Sequence, residues 1–438
     1  MSGEMAGRRL HFVGIGGAGM SGLALVCQEL GASGSGSDRG DSSYMERLRA
    51  AGIEPAVGHD AAQLPEGAEV VVSTAIGADN PELALARERG QTVLHRGELL
   101  AELCAEKRLI AVAGAHGKTT TAAMIAWTLR ECGADPAFFI GGEAPGLGPH
   151  GAATNAGWGE GEWVVAEADE SDGSFLRLQP EVAVVTNVEM DHHAKWGSSA
   201  ELRAAFREFV APAKAVVAPA DGSLADVTEG RPTAGFDAAI PGPAELRLTV
   251  PGLHNTLNAR AALAATGLAG IDEDAAAEAL ARFPGVLRRL ELKGEREGAR
   301  IYNDYAHHPT AIAVALETLR EQRPRRLIAV FEPHLYSRTK ALAERFGEAL
   351  ALADEVAVLD VYPAREEPVG ELAGVSGLDV ARAAADRMGG KPVLWVPGME
   401  QALAALSARL GPGRIVIAVG AGEVSRLAEA LATGEGIR

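Results

Sequence analysis

Three cysteines in 438 residues leave little room for disulfide chemistry. Cys27, Cys104 and Cys132 lie far apart with no C-x-x-C pair, so neither a disulfide framework nor a cysteine-built zinc site is indicated, and three buried, inert thiols are expected. Long apolar runs are missing too. Nowhere do about 18 consecutive apolar residues occur, which removes a membrane-spanning helix, and the glycines of MSGEMAGRRLHFVGIGG break any signal-peptide core. A cytoplasmic location with no membrane partner follows as the expectation. Basic surplus is absent as well: 41 Lys and Arg against 59 Asp and Glu give a formal net charge of -18. Affinity for a phosphate backbone comes from cationic side chains, so no nucleic-acid partner is expected. An anionic small molecule must then meet local cations such as Arg288-Arg289, Arg325-Arg326 and Arg338.

Aromatic residues make up only 5% of the chain, yet 47% of it is hydrophobic, which excludes disorder. With roughly 100 to 200 residues per domain, three domains are the central expectation. Apolar runs ending in glycine turns and followed by stretches of 3.6-residue apolar spacing imply alternating strands and helices, hence parallel sheets covered on both faces. RLHFVGI followed by MSGLALVCQELG is the first such unit, with SGSGSD read as following a second strand that Asp38 closes. RLIAVAGAHGKTTTAAMIAWTLRECG opens a second unit, and RIYNDYAHHP, RLIAVFEP and RIVIAVG belong to a third. Residues 216–250 are read as short strands. The fold class is α/β in three domains, N-terminal Rossmann-like, central P-loop mononucleotide-binding and C-terminal Rossmann-like, with boundaries drawn as 1–106, 107–285 and 286–438.

Two glycine turns carry chemistry. GIGGAGMSG contains G-x-G-x-x-G as Gly14, Gly16 and Gly19 between a strand and a helix. Such a turn brings backbone N–H groups and a helix N-terminus to a diphosphate, and Asp38 could accept a ribose hydroxyl. NAD and a nucleotide-diphosphate sugar satisfy the same physics. GAHGKTTT is more specific, because glycines, a lysine and hydroxyls meet at one helix start. Lys118 would reach phosphates and Thr119 would offer its hydroxyl to Mg2+. A full Walker A loop would have glycine at 112, where the chain has valine; the loop is shorter, but Gly114 and Gly117 still free its ends. EADESDGSF and TNVEMDHH follow two further strands and bring Glu167, Asp169, Glu170, Asp172, Asp191 and His192 as candidate oxygen and nitrogen ligands.

GIGGAGMSG, GAHGKTTT, EADESDGSF, NVEMDHH, PGLHNTLNARAA, NDYAHHP and EPHLYSRT occur here in the order found in the Mur ligases, and the chain resembles that family over nearly its whole length. The resemblance implies an ATP- and Mg2+-dependent amide ligase that joins L-alanine to the carboxylate of UDP-N-acetylmuramate through an acyl phosphate, acting as a monomer or homodimer. It further implies a UDP-sugar site at Gly14, Gly16, Gly17, Gly19, Met20, Ser21 and Asp38. ATP would lie on Gly114, Ala115, His116, Gly117, Lys118, Thr119 and Thr120, with Asn255 and Asn258 resembling adenine contacts and Asp304 a ribose contact. Thr119, Glu167 and His192 would ligate metal. Lys118, His307, His334 and Arg338 would serve the reacting groups, with His307 or His334 as the base. Alternatives are a ligase that attaches a whole peptide to UDP-muramate in cell-wall recycling and an NAD-dependent oxidoreductase, which would give Lys118 and Thr119 no task. The chain departs from the family pattern at Ala115, at Ala194 where a carboxylate is common, and at Leu335 where the family often has arginine.

Overall fold

The computed structural model describes residues 5–190, 195–238, 246–364 and 366–437. Three sheets run in chain order. The first holds β1 (Arg9–Val13), β2 (Ser33–Asp38), β3 (Pro55–Val57), β4 (Glu69–Val72) and β5 (Val93–His95), all parallel, in the order β3-β2-β1-β4-β5. The second holds β6 (Arg108–Ala113), β7 (Ala137–Ala144), β8 (Thr154–Gly157), β9 (Trp163–Glu167), β10 (Val182–Val185), β11 (Ala215–Pro219) and β12 (Thr233–Phe236). Their order is β12-β11-β10-β6-β9-β7-β8, and β8 alone runs antiparallel to its neighbour. The third holds β13 (Glu291–Arg296), β14 (Ala299–Asp304), β15 (Arg326–Phe331), β16 (Glu355–Val358), β17 (Val393–Trp395) and β18 (Arg414–Val419) in the order β13-β14-β18-β15-β16-β17, with β13 antiparallel at the edge. This is the expected three-part α/β architecture. Among β1, β6, β10 and β18 nearly every residue is buried, as parallel strands covered on both faces require.

By packing, the chain forms two compact units: one contains the first two sheets and runs to Thr249 with Asn255–Val286 added, the other contains Val250–His254 and the third sheet. In the first unit one apolar core runs from Leu10 and Leu23 to Phe206 and Val216, and a smaller one gathers Val13, Leu64, Val70 and Ala86. The helix Ala18–Glu29 packs on the β7–β8 hairpin so closely that a Cβ on Gly22 would lie 2.9 Å from the Ala156 Cβ. Arg47 donates to the Asn155 side chain at 2.7 Å, and Asn155 donates to the Ala18 carbonyl.

Some local readings change. SGSGSD is β2 itself, not the segment after it. Its second glycine is required by crowding: a Cβ on Gly36 would sit 2.4 Å from the Phe12 carbonyl oxygen and 2.8 Å from Ile15. The helix containing HNTLN starts at Leu253, before the asparagine. Cys27 and Cys104 are buried, and burial pushes the Cys27 thiol up to about 12, but Cys132 is only partly covered.

Phe175, on the short turn Ser174–Arg177, stacks on Phe209 at 5.3 Å, tilts against Phe206 at 5.2 Å and meets Trp196 edge-on at 6.3 Å. All four rings are buried. Phe206 and Phe209 on the helix Ser199–Val210, and Trp196 just before it, are held by their own packing and cannot collapse into the space, so Phe175→Ala should cost about 3–5 kcal/mol. Urea unfolding followed by circular dichroism measures this; an unmoved first transition would show that the ring cluster is not what holds this corner.

Candidate functional site

The first glycine turn follows β1. Gly14 has φ +85°, a conformation glycine adopts without strain, and Gly14 and Ile15 donate to the Ser37 carbonyl. Asp38 does not point outward as a free acceptor: its Oδ2 accepts the Gly16 N–H at 2.9 Å. Gly17 begins the helix Ala18–Glu29 with no side-chain cap, so first-turn N–H groups are left for a ligand or water. The Met20 and Ser21 side chains are buried, so only their backbone can meet a ligand there. A Cβ on Gly19 would come to 3.0 Å from the Arg96 guanidinium, so that a side chain there would have to push this group aside.

The second turn follows β6. Val112 lies inside that strand, so the loop spans only Gly114 to Gly117 before the helix Lys118–Glu131 begins. Gly114 (φ +138°) and Gly117 (φ +82°) cannot be replaced without strain. A Cβ on the first would lie 2.2 Å from Thr186 Oγ1, and on the second 2.6 Å from Asn258 Oδ1. Thr186 and Asn187, just after β10, brace the loop at His116: its N–H donates to Asn187 Oδ1 at 3.0 Å, and its carbonyl accepts from Thr186 at 2.6 Å and from Asn187 at 2.9 Å. The brace holds the backbone around Ala115 without using any side chain of the loop.

Lys118 Nζ donates to the Gly114 carbonyl at 2.5 Å and to the two Glu170 oxygens at 2.9 and 3.2 Å. Burial lowers the ammonium pKa, but Glu170, Asp169 and Glu167 more than reverse this and hold it above its ordinary value. Burial pushes Glu170 up to about 7, against the opposing charge of Lys118. Thr119 and Thr120 are buried beside Lys118. Asn255 and Asn258 project from one turn of the helix Leu253–Leu268, and Asn258 accepts from Thr121 at 3.2 Å while donating to Asn255 at 3.3 Å. Asn258 thus lies against the phosphate loop.

Glu167 ends β9, and its Oε2 accepts the Gly141 N–H at 2.7 Å. The next residue, Gly142, faces the Thr119 methyl at 3.2 Å from its Cβ position. Two consecutive glycines of β7 therefore border both proposed metal ligands. Hard hydroxyl and carboxylate oxygens fit Mg2+, which commonly keeps waters and shares phosphate oxygens rather than filling an all-protein cage. No cluster of three or more His, Cys, Asp or Glu that could hold a metal occurs among the described residues. His192, the third expected ligand, lies outside them, as do Asp191 and Ala194.

In the second unit, His307, His334 and Arg338 come together. The two histidine rings meet edge-on at 6.0 Å, His334 stacks on Tyr362 at 5.9 Å, and Arg338 Nη1 lies 3.3 Å from His334 Nδ1. His307 Nδ1 lies 3.0 Å from the Tyr305 carbonyl. Asp304 ends β14 and is more committed than a ribose contact would be: its oxygens accept the Leu290 and Ala306 N–H groups, each at 2.7 Å. Burial raises its pKa against the charges of Arg289 and Arg288. Sequence reasoning missed Arg96, Glu170 as the lysine's partner, Thr186, Asn187, Glu332 and Tyr362. The acidic content of EADESD pointed toward Glu170, and TNVEMDHH was singled out for its Asp191 and His192 rather than for Thr186 and Asn187, while nothing local marked the others.

Comparison with known proteins covers all three parts of the chain. The family models described as Mur ligase family, catalytic domain, Mur ligase middle domain, and Mur ligase, glutamate ligase domain match residues 9–108, 112–239 and 288–422. A UDP-N-acetylmuramate--L-alanine ligase of Kineococcus radiotolerans is 46% identical, the match covering 95% of this chain and 94% of that one. The crystal structure of the UDP-N-acetylmuramate-alanine ligase MurC of Thermotoga maritima superposes with a TM-score of 0.83 at 28% identity, covering 97% of this chain and 98% of its own. A murein peptide ligase of Psychrobacter arcticus shares the fold, with a TM-score of 0.73 at 24% identity over 98% of both chains.

Glu332, at the end of β15, accepts the Val424 N–H at 3.1 Å and is buried; burial, aided by Glu423 and opposed by that hydrogen bond and by Arg288, pushes its carboxyl up to about 7. A carboxyl whose pKa is higher folded than unfolded contributes stability that is complete below the unfolded value near 4.5 and lost as pH rises through 7. Glutamine keeps the acceptor and cannot ionise. Glu332→Gln should therefore match the wild type in thermal melts at pH 5 and exceed it at pH 8 by about 1–3 kcal/mol; a pH-independent gap would contradict a buried, titrating carboxyl.

Proposed function

Because the chain belongs to the Mur ligase family, we infer that it is an ATP-dependent ligase that forms the amide between UDP-N-acetylmuramate and L-alanine in peptidoglycan precursor synthesis. The observation that carries this reading is the full-length 46% likeness to a ligase of that name. The loop between Gly114 and Gly117, with its buried lysine and facing carboxylates, is the chemistry such a reaction needs. We assign residues 1–106 to the UDP-sugar, 107–285 to ATP and 286–438 to the amino acid, and the enzyme to the cytoplasm, where these precursors are made.

A carboxylate and an amine do not condense in water because the departing oxygen is a poor leaving group. An oxygen of the muramate carboxylate attacks the γ-phosphorus, the bond to the bridging oxygen breaks, and ADP leaves with an acyl phosphate formed. The alanine nitrogen then attacks the acyl carbon, inorganic phosphate departs, and the nitrogen's extra proton is lost to a base. Lys118 neutralises charge on the transferred oxygens, and the loop's fixed N–H groups hold the phosphates in line. Bound Mg2+, on Thr119, Glu167 and His192, would add Lewis-acid stabilisation of the same charge. Arg338 holds a carboxylate by its planar edge.

Hydrogen-bond logic separates the two candidate bases. Arginine can only donate, so His334 Nδ1 accepts from Arg338 and His334 is a neutral ring carrying its proton on Nε2. A carbonyl can only accept, so His307 carries a proton on Nδ1, facing Tyr305, and in the neutral ring its Nε2 holds the lone pair. His307 is the base in this reading, and His334 orients Arg338.

Phosphate release from ATP should require both UDP-N-acetylmuramate and L-alanine. Replacing L-alanine by a tripeptide should abolish it, and Lys118→Ala should lower it by a factor of at least about 10³ while UDP-N-acetylmuramate binding stays within about twofold. Release supported equally by the tripeptide would favour a peptide ligase, and comparable loss of turnover and sugar-nucleotide binding would contradict the division of labour.

A further inference from the structure

Arg96 opens the helix Arg96–Ala105 directly after β5, and its side chain reaches across to the start of the helix Ala18–Glu29. Its Nη1 would be 3.0 Å, and its Cδ 3.4 Å, from a Cβ on Gly19. On the other side, Nη2 pairs with Asp172 Oδ2 at 3.3 Å and lies 4.0 Å from Asp169 Oδ2. Asp172 and Asp169 are held independently, since they accept the Ser174 and Ser171 N–H groups at 2.8 and 3.0 Å. Asp169 also feels Lys118, so the carboxylates after β9 stand between the cation of the phosphate loop and the cation of the first glycine turn.

Placing a guanidinium at the positive end of an uncapped helix is unfavourable unless an anion lies between them. Asp172 meets only the Nη2 side. Nη1 faces the helix start and has no hydrogen-bond partner among the described residues. Gly19, in the sequence a glycine for the diphosphate, is in the structure the gap that admits this cation.

We propose that Arg96 is a substrate-positioning residue whose Nη1 takes an oxygen of the UDP-sugar's diphosphate at the first turn of Ala18–Glu29, while Asp172 competes for the same guanidinium from its Nη2 side. This rests on the function proposed above and adds a residue on which the affinity for the sugar nucleotide depends. It also joins the two anion sites of the first unit, because one row of carboxylates restrains both Arg96 and Lys118. A charge-assisted hydrogen bond of this kind corresponds to about tenfold to a hundredfold in affinity.

Calorimetric titration of wild type, Arg96→Gln and Asp172→Asn with UDP-N-acetylmuramate, UDP-N-acetylglucosamine and ADP tests it. UDP-N-acetylglucosamine has the same diphosphate and no carboxylate. Arg96→Gln should weaken both sugar nucleotides by at least about tenfold and leave ADP unchanged. Asp172→Asn, which keeps the Ser174 bond, should tighten both, since the guanidinium no longer divides its attraction. Weakening confined to UDP-N-acetylmuramate would mean that Arg96 holds the carboxylate, and overturn the diphosphate assignment. Unchanged affinities in Arg96→Gln, or parallel losses in both variants, would reduce Arg96 to a structural ion pair. Failure of wild type to bind either sugar nucleotide would instead count against the proposed function itself.

Discussion

The Lys118 ammonium is the constraint on which the first unit depends. Only 11% of its side chain is exposed, and that of its partner Glu170 only 4%. Removing either charge from water alone would cost several kcal/mol, so neither can be there without the other. The Gly114 carbonyl and the two Glu170 oxygens can match all three ammonium N–H groups. This fixes the lysine in the charged state and at the mouth of the helix. In the proposed reaction, phosphate oxygens would have to replace a carboxylate already in place. A carboxyl whose own burial works against ionisation is a partner that yields at lower cost than an exposed one would.

The same letters in the two glycine motifs turn out to serve different physical ends. Gly14 and Gly117 are alike, each taking a positive φ where a strand gives way to a helix. Other glycines of the two motifs lie against protein neighbours. Gly16 leaves space for Asp38, Gly19 for Arg96, and Gly114 for Thr186 and Asn187. Asp38, read from the sequence as able to accept a ribose hydroxyl, is hydrogen-bonded to the Gly16 N–H and stabilises the turn itself.

How much was legible follows from where the information lies. Buried parallel strands such as RLIAVA and RIVIAV announce themselves because both faces are apolar, and the loop residues after them are fixed by chain position alone. SGSGSD carried no apolar signal, because Gly36 pays in side chain for the close approach of Phe12 and Ile15. β8 and β13 are edge strands with polar or small residues and an antiparallel partner, so no period marks them. In the site, Lys118 and Thr119 were readable from adjacency. Glu170, Asn187, Arg96 and Glu332 act through partners 52, 71, 76 and 92 residues away, and a spacing rule cannot express those meetings.

Leu335 shows what a departure from a family pattern costs and how the fold answers it. The residue has φ +69°, is buried, and precedes the helix Tyr336–Leu350; its N–H donates to the Tyr362 carbonyl and its carbonyl accepts from Thr339. A leucine in the left-handed region is strained, and the strain persists only because these backbone bonds over-determine the turn. The turn puts His334 beside Tyr362 and, one helical turn on, Arg338 beside His334. With no arginine at 335, recognition of a carboxylate in the proposed reaction falls more heavily on Arg338. Its direction is set by a neutral histidine rather than by a second cation, which avoids like-charge repulsion at that edge of the guanidinium. The absence of one positive group is thus compatible with a directional site.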